Sequence, residues 1–190
     1  MPRLFTALEL PADVGFSLSM LRGGLPGARW IDRENYHITL RFIGDVDERT
    51  ADAVDEMLLE VEREPIPIRL NGLGSFGSDK PRSIHAAIEP SRALSALQGD
   101  IERAIRRLGL PPETRKFVPH VSLARLRHAS TLDVADYLAM RGYFPPRSFT
   151  AARFVLFSSR DSVGGGPYVL EAAYPLGQHE MPAWPARRWG

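Results

Sequence analysis

Residues 35–45 read NYHITLRFIGD, and residues 116–127 read KFVPHVSLARLR. Each contains a histidine, an aliphatic residue, a hydroxyl residue and a leucine, in that order. Each phrase lies in an apolar run with the alternation of a half-buried strand. Side chains alternate across a strand, so His37 and Thr39 share one face, and Ile38 and Leu40 the other. In the second phrase His120 and Ser122 share a face, opposite Val121 and Leu123. Each strand thus offers an imidazole and a hydroxyl to one side and buries aliphatic groups on the other.

The surroundings of the two phrases also match. The first half reads as a strand at residues 3–10, a helix over 11–22, a short extended ARWI, the strand NYHITLRFI, and a helix from an Asp47 N-cap to about Arg63. The extended PIPIRLNGLGSF and the turn GSDKPR follow. The second half opens with the strand SIHAAIEP. A helix from a Ser91 cap to about Leu108 places Leu94, Leu97, Ile101, Ile105 and Leu108 on one face. The strand FVPHVSLARL, a short helix over 131–140, and the strands SFTAARFVLFSS and PYVLEAAYPL complete it, the last two joined by a turn at Gly164 to Gly166. The expected organisation is two duplicated strand-helix-strand lobes, roughly residues 1–80 and 81–177, packed about an approximate two-fold axis. Residues 178–190 mix Pro, Trp, Arg and Gly without periodicity and read as a loose tail.

Composition narrows the chemistry. A chain of 190 residues, 44% hydrophobic and 25% charged, can bury a core without disulfides or metals. Cysteine is absent, which excludes disulfides, thiolate metal sites and a cysteine nucleophile. No signal-peptide pattern or long apolar span is present, so the expectation is a cytoplasmic chain with no membrane partner. Net charge is +1, too small for a general polyanion binder. Residues 101–127 nevertheless carry Arg103, Arg106, Arg107, Arg115, Lys116, Arg125 and Arg127 against Glu102 and Glu113. That stretch reads either as a phosphate-attracting patch or as a solvated helix face.

Two imidazoles facing each other suit paired acid and base catalysis. With an ordinary pKa of about 6.5, one ring can hold a proton while the other accepts one. Hydroxyls and a protonated imidazole hydrogen-bond phosphoryl oxygens. The pattern fits in-line displacement at phosphorus without a cofactor. Zinc would need a third or fourth ligand, and none lies at ligand spacing. Nothing in the pattern says which histidine is the acid. A lone strand histidine is usually structural, and His85, His128 and His179 are read that way.

The paired phrases HITL and HVSL resemble the His-x-Thr/Ser-x signatures of the two-histidine phosphoesterase superfamily. The segments LFTALELP, RWI, HITLRFIG, PHVSLAR, FVLFSSR and YVLEAAYPL are similar to its bacterial and archaeal RNA 2′,3′-cyclic phosphodiesterases, the 2′-5′ RNA ligase-like branch, over residues 1–177. The resemblance implies a bilobal α+β fold with two antiparallel sheets around a central cleft, and metal-free hydrolysis of RNA 2′,3′-cyclic phosphate ends to 2′-phosphates; a monomer is expected. It makes His37 the proton donor and His120 the acceptor, with Thr39 and Ser122 holding phosphoryl oxygens. It also implies base stacking by Phe42 and phosphate binding by Arg125. Strict alternation opposes these last two roles: both residues lie an odd step from their histidines, and Arg41 and Ala124 are the residues in phase. Phe42 and Arg125 reach the histidine face only if the strand bulges, bends or ends first. Ligation of 2′-5′ RNA ends, hydrolysis of a small cyclic nucleotide, and RNA-end binding without turnover are the alternatives.

Overall fold

The computed structural model describes residues 1–159 and 166–177. Most of the turn expected at Gly164 to Gly166, and the whole tail from 178, lie outside the described residues. The elements run β1 (Arg3–Glu9), α1 (Ala12–Ser19), β2 (Ala28–Trp30), β3 (His37–Asp45), α2 (Glu48–Leu59), β4 (Ile66–Phe76), β5 (Ser83–Ile88), α3 (Arg92–Arg107), β6 (His120–Leu126), α4 (Thr131–Arg141), β7 (Arg147–Ala151), β8 (Arg153–Ser159) and β9 (Tyr168–Pro175). The protein is thus α+β, with antiparallel strand pairing throughout the described residues.

Where two sheets were expected, hydrogen bonding forms one, in the order β7-β4-β5-β6-β3-β1-β8-β9, with β2 beside β6. The join at its centre is slight. β3 and β6 share a single residue pair, Ile38 with Val121. Beyond it they part, and β2 lies against Ala124 to Leu126. Halves of the sheet are not halves of the chain. β4 precedes residue 80 yet pairs with β5 and β7, while the late strands β8 and β9 join β1. The run SFTAARFVLFSS, expected as one strand, is two for this reason. Its first part pairs with β4 and its second with β1, and the chain changes neighbours at Ala152.

The helices pack on one sheet face through the residues their periodicity placed there. Leu94, Leu97, Ile101 and Ile105 of α3 join Ala51, Val54 and Leu58 of α2 in one buried cluster. That cluster also takes Ile38, Leu40, Val121 and Leu123 from the two repeated phrases. The aliphatic side of each phrase therefore faces the helices and its histidine side faces away. β1 is covered on both faces: Leu4 and Leu8 enter the main core, and Phe5 and Ala7 form a small cluster with Val155 on the histidine side.

Helix ends follow their sequence signals. The side chains of Asp47 and Ser91 accept from the backbone N–H groups of Thr50 and Leu94, at 2.7 and 3.1 Å. α2 stops at Leu59, short of the expected Arg63, and α1 at Ser19, before the Gly23-Gly24 pair. α3 has no acidic residue in its first turn, which leaves the N-terminal capping to Ser91. Ser91→Ala is expected to cost about 1 kcal/mol, read as a lower urea midpoint with an unchanged slope.

Candidate active site

The one pair that joins β3 to β6 organises the site. An antiparallel pair has a local two-fold axis, and here the axis passes between Ile38 and Val121. His37 is set beside Ser122 and Thr39 beside His120, all four on the face opposite the aliphatic pair. Rotation about the axis exchanges the two phrases.

Both imidazoles are held the same way. Nδ1–H of His37 donates to the carbonyl of Asn35 at 2.8 Å, and Nδ1–H of His120 to that of Val118 at 2.7 Å. A carbonyl only accepts, so each neutral ring carries its proton on Nδ1 and leaves Nε2 for chemistry. The two sites differ beyond that. Nε2 of His37 accepts from the Thr39 hydroxyl at 3.1 Å, whereas Ser122 makes no such bond to His120. His37 packs against Phe5, Phe157 and Tyr168, with centroids at 5.0, 6.0 and 5.1 Å. His120 packs edge-on to Phe76 at 4.8 Å and to His85 at 5.3 Å.

Phe42 and Arg125 lie on the histidine face because both strands bulge at the same step. In β3, Thr39 pairs with Ala7 but Arg41 with Thr6, so Leu40 is the extra residue. In β6, Ser122 pairs with His85 but Ala124 with Ile84, so Leu123 is extra. The bulge flips the alternation. Leu40 and Arg41 are both buried, as are Leu123 and Ala124, while Phe42 and Arg125 emerge exposed. Strict alternation, which favoured Arg41 and Ala124 for the cleft side, is corrected by this extra residue. Arg41 is only 6% exposed and lies on the helix side, ion-paired to Glu102 and donating to the carbonyls of Phe42 and Pro111. Glu102 in turn accepts from the backbone N–H of Glu113 at 3.2 Å. The guanidinium therefore ties the first bulge to α3 and to the loop that leads into His120.

The basic stretch at 101–127 divides. Arg103 pairs with Asp100 and Arg107 with Glu60 around the outer surface of α3, and Arg115 pairs with Glu113. These side chains form a solvated helix face and its loop. Arg125 stands apart from them, opposite Arg29 of β2 and Ser83 of β5 on the histidine face.

Sequence reasoning gave His85 no role, yet it borders the site. Its place next to β6 follows from strand order, which no local pattern encodes. His85 is 8% exposed, its ring stacked on Phe76 at 4.2 Å, and its Nδ1 is buried without a partner. An unsatisfied buried polar atom costs about 1–3 kcal/mol.

Burial governs the charge state of all three rings. It pushes His37 down to about 4, with the Asn35 carbonyl bond acting in the opposite sense and the charge on His120 adding to the fall. Burial and then the His120 charge bring His85 to about 4. His120 is also lowered by burial, against the pull of the Val118 carbonyl. At neutral pH the three free imidazoles are uncharged, so a proton donor among them needs an anion to stabilise it. Among the described residues no group of three or more His, Cys, Asp or Glu side chains could hold a metal ion, and no helix is long and apolar enough to cross a membrane.

Comparison with known proteins gives a consistent result. Residues 19–162 match the 2′-5′ RNA ligase superfamily. The chain is 37% identical over 116 residues to the RNA 2′,3′-cyclic phosphodiesterase of Aeropyrum pernix, covering 60% of this chain and 65% of that protein. With the protein of the same name from Geobacillus stearothermophilus it is 33% identical over 128 residues, 64% of this chain and 41% of that protein. The chain thus spans less than two thirds of either relative's length. The Bacillus subtilis protein of that name is 32% identical over 130 residues, 65% of this chain and 71% of that protein. In structure, E. coli LigT complexed with 3′-AMP superposes with a TM-score of 0.76 at 25% identity, covering 94% of this chain and 100% of that one.

The depressed histidines link stability to acid. Their folded pKa values lie below the ordinary 6.5, so on acidification the unfolded chain takes up protons first. Stability present above about pH 6.5 is lost as pH falls towards about 4. The urea midpoint is expected to drop across that window, and His37→Gln to flatten the drop.

Proposed function

The chain belongs to the 2′-5′ RNA ligase superfamily, and we propose that it is an RNA 2′,3′-cyclic phosphodiesterase that opens cyclic phosphate ends to 2′-phosphates by two-histidine acid and base catalysis. The observation that carries this reading is the exchange of two His-hydroxyl pairs about the Ile38–Val121 join. We read residues 1–177 as two lobes meeting there, with the cleft between them on the histidine face.

In this mechanism the cyclic phosphate sits over the join. The Thr39 and Ser122 hydroxyls hold its non-bridging oxygens. Nε2 of His120 takes a proton from a water molecule as the water oxygen attacks phosphorus in line. The bond from phosphorus to the 3′-oxygen breaks, and Nε2–H of His37 protonates that oxygen. The products are a 2′-phosphate and a free 3′-hydroxyl. The donor role of His37 is the one the family resemblance implies, and the incoming phosphate would supply the negative charge an imidazolium needs in that buried setting. Arg125 adds a fork of N–H donors to the phosphate. Phe42, exposed on the same face, offers a surface for the terminal base. The superfamily's description favours ligation as a second reading. Ligation is the same displacement through the same groups, with an RNA 5′-hydroxyl in the place of water.

The test is turnover of an oligoribonucleotide ending in a 2′,3′-cyclic phosphate, with the position of the product phosphate determined. A 2′-phosphate is expected, in excess chelator as well as without it. His37→Ala and His120→Ala should each lower kcat by about 10²- to 10⁴-fold with the circular dichroism spectrum unchanged, and wild-type rates in either would overturn the assignment. Histidine NMR titration should also show the His37 pKa rising when a 2′-nucleotide product binds, because the bound dianion favours the charged ring.

A further inference from the structure

Among the described residues His85 is the one imidazole beside the paired histidines that the mechanism leaves unused, and its setting is specific. It projects from β5 opposite Ser122 on one side and Gly74 on the other. Its ring stacks on Phe76 at 4.2 Å and meets His120 edge-on at 5.3 Å, while Phe76 also meets His120 at 4.8 Å. The three rings form a closed triangle in which His120 is also tethered through Nδ1 to Val118. Gly74 leaves the room for it: a Cβ there would stand 2.8 Å from Nε2 and 3.1 Å from Cε1 of His85. A phenyl ring would fill the same slot and would not bury a nitrogen without a partner, as Nδ1 of His85 does. An imidazole kept where it lowers stability points to a polar task.

We propose that His85 is a positioning residue for His120, a neutral imidazole whose dipole supports the positive charge that forms on His120 when it takes the proton from the attacking group. A phenyl ring has no such dipole, and would leave that charge facing a more apolar wall. The groups facing His120 come from three strands. His85 comes from β5 and the uncharged Phe76 from β4, and across the join are His37 and Thr39 of β3. Arg125 lies further along β6 beyond the bulge. Burial, and then the charge on His120, hold His85 down to about 4, so it is neutral at neutral pH. A neutral neighbour does not repel the new imidazolium as a second charged ring would.

The inference rests on His120 being the proton acceptor, and two substitutions with opposite effects on stability test it. His85→Phe keeps the stacked ring and removes the buried nitrogen. It is expected to raise Tm, to lower kcat by about three- to tenfold as His120 becomes a weaker base, and to leave KM unchanged. Gly74→Ala keeps the imidazole but displaces it. It should lower Tm and still lower kcat in the same way. A packing role alone predicts that rate follows stability, so a wild-type kcat in His85→Phe overturns the proposal. NMR titration of His120 reads the contact without turnover: its pKa should be lower in both variants than in the wild type, and an unchanged value in either overturns the proposal. If the wild-type protein does not open a cyclic phosphate, the functional reading fails, and this titration still decides the role of His85.

Discussion

A single backbone pairing, Ile38 with Val121, holds the two wings of the sheet together and sets the geometry of the site. Antiparallel pairing creates a local two-fold axis wherever it occurs. What is specific here is that the same four-residue phrase sits on each side of that axis. The aliphatic residues on one face lock the join into the helical layer, where Ile38 and Val121 are wholly buried. The face away from the helices then has to present the imidazoles and hydroxyls. Core packing and active-site assembly are two sides of one strand pair, and a shift of one residue in register would ruin both.

The bulges extend that logic. One extra residue in each strand, Leu40 in β3 and Leu123 in β6, reverses the alternation just past the hydroxyl. Each strand can therefore place three of the candidate side chains on one face at unequal spacing. In β3 the reversal also turns Arg41 inwards. Its buried pairing with Glu102 and its bonds to two carbonyls fasten the bulge to α3 and to the loop before His120. The two histidine strands are thus joined twice, by backbone at the centre and through this arginine at the side. Removing one partner of such a buried pair would leave an uncompensated charge.

The electrostatics of the site follow from burial more than from charge pairs. Rings of Phe5, Phe157 and Tyr168 surround His37, and Phe76 and His85 flank His120. This setting disfavours imidazolium in the free protein. Under the proposed reading an anionic phosphate would reverse the balance where it binds, and the proton would be stabilised in surroundings arranged before the substrate arrives.

The sequence by itself determined the paired residues of the candidate site and most of the strands and caps. The repeated His-aliphatic-hydroxyl-Leu phrase is a local pattern, and alternation within a strand is enough to place His37 with Thr39 and His120 with Ser122. The Asp47 and Ser91 caps are equally local. Tertiary structure alone decided what depends on neighbouring strands. It determined that β3 and β6 meet at one pair, that SFTAARFVLFSS divides between opposite parts of the sheet, and that Phe42 and Arg125 face the histidines through bulges that exist only relative to β1 and β5. It also brought His85 against His120. Register and strand order are set by contacts between residues far apart in the chain, and the periodicity of a single segment carries no record of them.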